Sequence, residues 1–364
     1  MDEWRRDEME GLHARIAHRF GRAETRERAK RYLAGLVEGG EGRRSGRRMA
    51  ERMGEAGPDG AQRLLNSARW DADGVRDDLR GYVVENLADP GGGLVLVEAG
   101  FPKKGAGSAG VARQLDPSTG RVQNCQLALF LAYASPRGRA FVDRELYLPK
   151  EWTEDAERRR KAGVPDEVRY ATRGELARRM MERAIGAGVR AGWVSGGDPY
   201  GDDEELRGWL QSRELPYALV RRFRGPENAV GVPRRPPREI RKNVATWTPL
   251  QGGTGSWEGR RTYGWRYISQ DEEAASAQEQ WLVLRRWTDA SRREKAYYRA
   301  CRFGRAPSGL AAAAATHEAV EGDLERARGA VGLGEHEARG WNAWYRHATL
   351  CLLAHDASQV ARAE

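Results

Sequence analysis

Two apolar runs constrain this chain more than anything else in it. Residues 94–97 read LVLV and residues 126–134 read QLALFLAYA. Runs of this length, rich in apolar and aromatic side chains and bounded by Gly or polar residues, point to buried strands. The first passes directly into a Gly-rich basic turn, EAGFPKKGAGSAGVARQ, ending at residue 114. A third strand is expected over 141–148, where Val142, Arg144, Leu146 and Leu148 alternate with their neighbours. Next comes an amphipathic helix over 173–187, with Leu176, Met180, Ala184 and Ile185 inward, and a short strand over 191–195. A helix over 206–213 and a strand over 217–220 follow. Adjacent strands and then helices indicate an α/β fold.

The first 90 residues are helical in pattern. Leu12, Ile16 and Phe20 recur at helical spacing, as do Ala29, Tyr32, Leu33 and Leu36. Beyond the polar, Gly-rich stretch 39–46, Met49 and Met53 mark one short helix and Ala61, Leu64 and Leu65 another. Gly57 and Pro58 break the chain between them. Asp71 is placed to cap a further helix whose inward side carries Val75, Leu79, Tyr82 and Val83. Two short helices about a Gly-Pro turn are compatible with a helix-turn-helix, which would present Gln62, Arg63, Asn66 and Arg69 to a DNA groove. A plain helical bundle with solvated charges is the alternative.

The stretch 221–244 carries Arg221, Arg222, Arg234 and Arg235 among eight basic residues, with four prolines. It suits an arm along a polyanion or a solvated loop. Short strands are expected at 263–268, 281–287 and 296–298, near Trp247 and a Gly-Gly-Thr-Gly turn at 252–255. That turn lacks the Lys-Ser/Thr ending of a phosphate-binding loop. Residues 308–355 read as helical, broken at the Gly-Leu-Gly of 332–334.

Charge bears on partners. Lys and Arg total 62 against 53 acidic residues, a net +9, and only seven of the 62 are Lys. Guanidinium groups suit phosphate, although a codon bias toward Arg, Ala and Gly gives the same balance. Three cysteines with no Cys-x-x-Cys argue against zinc knuckles and disulfide scaffolds and fit a reducing, cytoplasmic setting. The charged residues Asp2, Glu3, Arg5 and Arg6 argue against a secretory leader, and no apolar run reaches the ~18 residues of a membrane span.

The stretch at 94–105 resembles the first catalytic strand of DDE transposases of the insertion sequence 701 family, within the insertion sequence 4-type superfamily. Their pattern there is V-D-E-T-G-F-x-K-K-G. Glu98, Gly100, Phe101, Lys103, Lys104 and Gly105 match it, and Val97 stands at the Asp. PDGAQRLLN (58–66), WDAD (70–73), VRDDLRGYV (75–83) and DRELYLPKEWTED (143–155) are similar to the family as well. In WVSGGDPYG (193–201), matching Trp193, Gly196, Tyr200 and Gly201 puts Gly197 on the second Asp. In the stretch 319–341, the family's Glu falls on Glu321, its Arg one turn earlier on His317 and its Lys on Arg328.

The resemblance implies a ribonuclease H-like α/β core with an N-terminal helical domain and a β-rich insertion. The units would be 1–90 (helical, DNA-reading), 91–202 (first part of the core), 203–305 (insertion with the basic arm) and 306–364 (C-terminal helical part). Family chemistry uses two Asp and one Glu to hold a pair of magnesium ions. Here Val97 and Gly197 offer no side-chain oxygen, so neither a bound metal nor a cofactor is expected. Glu98 and Asp198 follow the lost positions by one residue, which on a strand turns a side chain to the opposite face. Walls of the old cleft would come from Glu98, Asp198, Trp193, Tyr200 and Trp247, and Lys103 and Lys104 would meet DNA. His317 and Glu321, at i and i+4, share a helix face and form the residual acid/base candidate.

Three roles follow as expectations. One is a nuclease-inactive, domesticated protein that binds duplex DNA. Another is a repurposed, metal-independent enzyme acting on a small molecule. A third is a non-catalytic partner in a mixed oligomer. Cys125 is expected in the core, and His347 and His355 at a surface or interface.

Overall fold

The computed structural model describes residues 3–38, 46–220, 248–251, 262–269, 280–287, 295–301, 307–335 and 337–360. Five helices come first: α1 (Glu3–Ile16), α2 (Ala23–Val37), α3 (Gly46–Arg52), α4 (Asp59–Asn66) and α5 (Ala72–Leu87). Their periodic apolar residues turn inward, with Leu12, Ile16, Phe20, Leu33, Leu36, Leu64, Val75 and Leu79 all buried. The Asp71 carboxylate accepts from the backbone N–H groups of Asp73 and Gly74 at 3.0 and 2.9 Å, capping α5. Phe20 stacks on Trp70 with ring centroids 5.0 Å apart, pinning the end of α1 to the entry of α5.

A ten-stranded sheet follows. Its first four strands are β1 (Gly93–Pro102), β2 (Ala112–Asp116), β3 (Arg121–Ser135) and β4 (Gly138–Leu146). β3 is antiparallel to β1 along one edge, and along its other edge to β2 and then β4. β5 (Val194–Gly196) lies parallel to β1, and β6 (Tyr217–Val220) parallel to β5. Beyond β6 the sheet continues through β10 (Lys295–Cys301), β9 (Gln280–Trp287), β8 (Thr262–Ser269) and β7 (Thr248–Gln251), all antiparallel. The strands expected between 203 and 305 therefore extend the central sheet. β2 lies where sequence pattern gives only a Gly-rich turn; Arg113, Gln114 and Asp116 mask a strand that is an edge partner of β3.

The remaining helices are α6 (Lys150–Glu154), α7 (Ala156–Ala162), α8 (Arg173–Gly186), α9 (Glu204–Ser212), α10 (Pro307–Ala330) and α11 (Trp341–Val360). A reciprocal capping box between Thr172 and Glu175 starts α8. Strand register separates the two faces of the sheet. Val97 pairs with Phe130, and Phe130 with Arg144; Glu98 pairs with Leu129, and Leu129 with Glu145. α8 covers the second set, because its Arg173 and Arg183 reach Glu98 and Glu145. α10 and α11 cover the first, where Arg328 lies over Phe101 and Trp344 meets Phe130.

A charged seam joins the N-terminal helices to the sheet. The Arg144 side chain, wholly buried, donates to Thr349 Oγ1 at 2.9 Å, to Asp73 at 2.8 Å and to the Ala72 carbonyl at 3.2 Å. Neighbouring Asp143 accepts from Arg183 at 2.9 Å and lies 3.6 Å from Arg76.

The C-terminal histidines are a correction to the sequence expectation. His347 and His355 are only 4% and 5% exposed, because α11 is wrapped by α1, α2, α4, α5 and β4 and has no free face at these positions. Cys125 is buried in β3. Among the described residues, no helix is long and apolar enough to cross a membrane.

Candidate functional site

β1 and β5 run side by side, with Leu96 in register with Gly196. One residue on, Val97 and Gly197 both turn to the face covered by α10. Val97 is 2% exposed. Gly197 has no side chain, and a β-carbon built on it would lie 3.1 Å from His317 Nε2, 3.3 Å from His317 Cε1 and 4.0 Å from Glu321 Oε1. The fold thus brings Gly197, His317 and Glu321 together from β5 and one face of α10. His317 is 3% exposed and its buried Nε2 has no hydrogen-bond partner among the described residues. Glu321 Oε1 is 3.8 Å from that nitrogen, beyond hydrogen-bond reach, and the Glu321 side chain is 56% exposed. A buried imidazole thus faces the backbone of Gly197, with a solvated carboxylate at its rim.

The opposite face of β1 is built differently. The Glu98 side chain is only 4% exposed and accepts from Tyr200 Oη at 2.8 Å and from Arg173 Nη1 at 3.0 Å. Burial pushes the Glu98 carboxyl above its ordinary value, against the pull of Arg173 and Tyr200; Asp198 adds a smaller push upward. Burial likewise raises the Tyr200 hydroxyl well above its usual range, and the Glu98 charge adds to that. Glu98 and Tyr200 therefore belong to the α8 side, away from His317 and Glu321. Trp193 is at the other end of β5, where its ring packs against Gly93 and its indole donates to the Gly91 carbonyl at 2.8 Å. Trp247 lies outside the described residues.

Arg173 is the functional-looking residue that sequence reasoning missed. Its signal was available: Thr172 and Glu175 frame a helix start, which fixes Arg173 at the first turn of α8 beside the end of β1. Arg328 also acquires a defined role. It donates to the Gly100 carbonyl at 3.0 Å and to Ser118 Oγ at 2.6 Å, tying α10 to the far end of β1.

The residues expected to meet DNA divide into three groups. Gln62, Arg63 and Asn66 are exposed on α4, and Arg69 is exposed just after it. Lys103 and Lys104 follow β1, in a turn held by Asn124 Nδ2 donating to the Lys103 carbonyl at 2.6 Å. Arg221, Arg222, Arg234 and Arg235 lie outside the described residues.

A pair of magnesium ions needs several carboxylate oxygens converging on one point. Val97 and Gly197 supply none, Glu98 is on the other face, and Glu321 stands alone beside an imidazole. Among the described residues, no group of three or more His, Cys, Asp or Glu could hold a metal ion. The donors present do not fit the ion pair that the resemblance implies.

No curated protein matches the chain. A family model described as DDE superfamily endonuclease matches residues 15–295, more than three quarters of the length, and stops before α10 with His317 and Glu321. On that match, with its mixed α/β sheet and flanking helices, the chain belongs to the DDE endonuclease superfamily.

Proposed function

We propose that this chain is a nuclease-inactive, domesticated member of its superfamily that binds duplex DNA without cutting it. The observation that carries this is at Gly197, where the space a catalytic carboxylate would need is filled by the His317 imidazole, 3.1 Å from the would-be β-carbon. With Val97 apolar beside it, the cleft holds one carboxylate where two-metal cleavage needs several. The strand order β4-β3-β1-β5-β6, three antiparallel and then two parallel, supports a ribonuclease H-like core of the insertion sequence 701 type. The exposed Gln62, Arg63, Asn66 and Arg69, with Lys103, Lys104 and the net charge of +9, support DNA as the partner.

Gel-shift titration at ~50 and ~200 mM salt tests it, because contacts to phosphates weaken steeply over that range. The expected result is a shifted duplex at low salt, lost at high salt, with no nicking when magnesium or manganese is added. Duplex binding absent at ~50 mM salt removes the DNA role; metal-dependent nicking removes the inactive one.

A second role, a metal-independent enzyme acting on a small molecule, is favoured by one observation, the unpartnered buried Nε2 of His317 beside Glu321. An imidazole and a carboxylate so placed supply a proton acceptor and an orienting charge. A ligand found against Val97, Gly197 and Glu321 in a crystal soak supports it. Any activity unchanged by His317→Ala and Glu321→Ala removes it.

A further inference from the structure

Two adjoining cavities lie beside the first turns of α11, and neither shares a lining residue with the His317–Glu321 site. The first, about 460 Å³, runs from Trp70 and the start of α5 to the segment before α8 and to Trp341, Asn342, Tyr345 and Arg346 of α11. Most of its charges are already answered. Asp71 caps α5, Arg76 donates to Asp73 and Asp77, and Arg183 donates to Asp143 and Glu145. Glu167 is exposed to water. Arg346 is the exception. It lies over the Trp70 ring, 5.4 Å from the centroid, and forms no ion pair among the described residues. Burial lowers its guanidinium below the ordinary value, and no carboxylate offsets that. Two of its five N–H groups go to the Leu65 carbonyl at 3.0 Å and the Trp70 carbonyl at 3.5 Å, which leaves three to donate. The second cavity, about 310 Å³, shares Glu145, Glu167, Val168 and Trp341 with the first and continues along Leu146, Leu148, Ala171 and Leu176. Its Arg169 and Arg179 are exposed, where water solvates them.

We propose that the two cavities together bind an arylalkyl monocarboxylate, its carboxylate against Arg346 and its ring beyond Trp341, among Leu146, Leu148, Ala171 and Leu176. A guanidinium fork matches a carboxylate in shape and is weakly hydrated, so a partly buried Arg with no counter-ion gains most from that group. One uncompensated cation selects a single negative charge, because a second would face the carboxylates of Asp73 and Glu145 on the same walls. The apolar far end takes a ring rather than a second polar group. Both volumes lie within the ~300–1,000 Å³ of small-molecule pockets. The site uses none of the α4 side chains assigned to DNA and nothing of the cleft at Gly197.

Titration calorimetry on the full chain tests it with three probes: 4-phenylbutyrate, its neutral amide 4-phenylbutyramide, and butyrate, which lacks the ring. The first should bind at one site with a Kd on the order of 1 mM or tighter, and the other two at least about tenfold more weakly. Arg346→Gln should remove the preference for the acid over its amide. Should that variant not fold, Val168→Trp, at a half-buried position where the two cavities meet, tests the same site by a second route. It should weaken 4-phenylbutyrate at least about tenfold. No saturable binding of 4-phenylbutyrate at about 1 mM, equal binding of acid and amide, equal binding of 4-phenylbutyrate and butyrate, a preference unchanged in Arg346→Gln, or an affinity unchanged in Val168→Trp each overturns the proposal. Failure here leaves the DNA and cleft readings untouched, since neither variant involves α4, His317, Glu321 or Gly197.

Discussion

The two faces of β1 carry opposite solutions to the same problem, a polar group out of water. On the α8 face, Glu98 is buried and held by Tyr200 at 2.8 Å and Arg173 at 3.0 Å. On the α10 face, His317 is buried and its Nε2 has no hydrogen-bond partner among the described residues. A buried carboxyl with its partners in place is costly to disturb, whereas a buried ring nitrogen with none is costly to keep. The difference teaches which polar group the fold needs. Glu98, expected from sequence as a wall of the old cleft, is held inside the α8 face by Tyr200 and Arg173. His317 Nε2 finds no hydrogen-bond partner among the described residues, and an unpaired polar atom in a cleft is where function is sought.

Replacing the two residues separates them most sharply. Glu98→Ala leaves Arg173 facing a buried gap and should cost ~3–5 kcal/mol of stability, read from urea midpoints. An effect under ~1 kcal/mol would break the contrast.

Asp356 extends the comparison to a third buried polar group, on α11. It accepts from the Phe141 backbone N–H at 3.1 Å and from His355 at 2.9 Å, yet burial pushes its carboxyl up to about 6 from an ordinary 3.8. Because the folded value is the higher, the folded state binds the proton more tightly. Its contribution is complete below about pH 4 and is lost as pH rises through about 6, a fall of roughly 3 kcal/mol at most. Denaturation midpoints across that window should decline in the native chain, and the decline should flatten in Asp356→Asn.

Gly197→Asp drives a side chain into the His317 ring and should cost ~1–3 kcal/mol by overpacking. His317→Ala in the same chain should recover most of that. The same crowding means that Val97→Asp with Gly197→Asp should bind magnesium poorly by calorimetry, while adding His317→Ala should restore binding. Metal binding by the double variant alone would show that His317 moves aside freely.

The smallest effect is expected for His317→Leu. An apolar side chain of similar bulk removes the unpartnered nitrogen, and stability should change by less than ~1 kcal/mol, in either direction. A loss as large as that of Glu98→Ala would mean His317 is structural, and the asymmetry between the faces would vanish.

Much of this was legible in the sequence because strand and helix periodicities are local. The runs at 94–97 and 126–134 gave the central pair, and the alternation of Val97 and Glu98 gave their opposite faces. The i, i+4 spacing of His317 and Glu321 put them together on α10, and the strand end put Gly197 opposite. The pairing of Glu98 with Tyr200 was not legible, since residue 200 follows β5 by a turn whose direction no periodicity encodes. Nor was the burial of His347 and His355. Their helix, α11, is apolar on nearly every side, and only the five elements packed around it reveal that no face is left for solvent.

The seam at Asp143 and Arg144 bears on modular exchange. Arg144 hands its two terminal nitrogens to Asp73 and Ala72, upstream of the sheet, and Asp143 lies against Arg76. A graft that swapped the first 90 residues for another helical unit would leave the fully buried Arg144 with Thr349 alone as a hydrogen-bond acceptor, unless the donor brought its own acid at the Asp73 position. The N-terminal helices and the sheet are therefore one unit energetically, and a new helical unit fits this sheet only if it brings an acceptor to the place of Asp73.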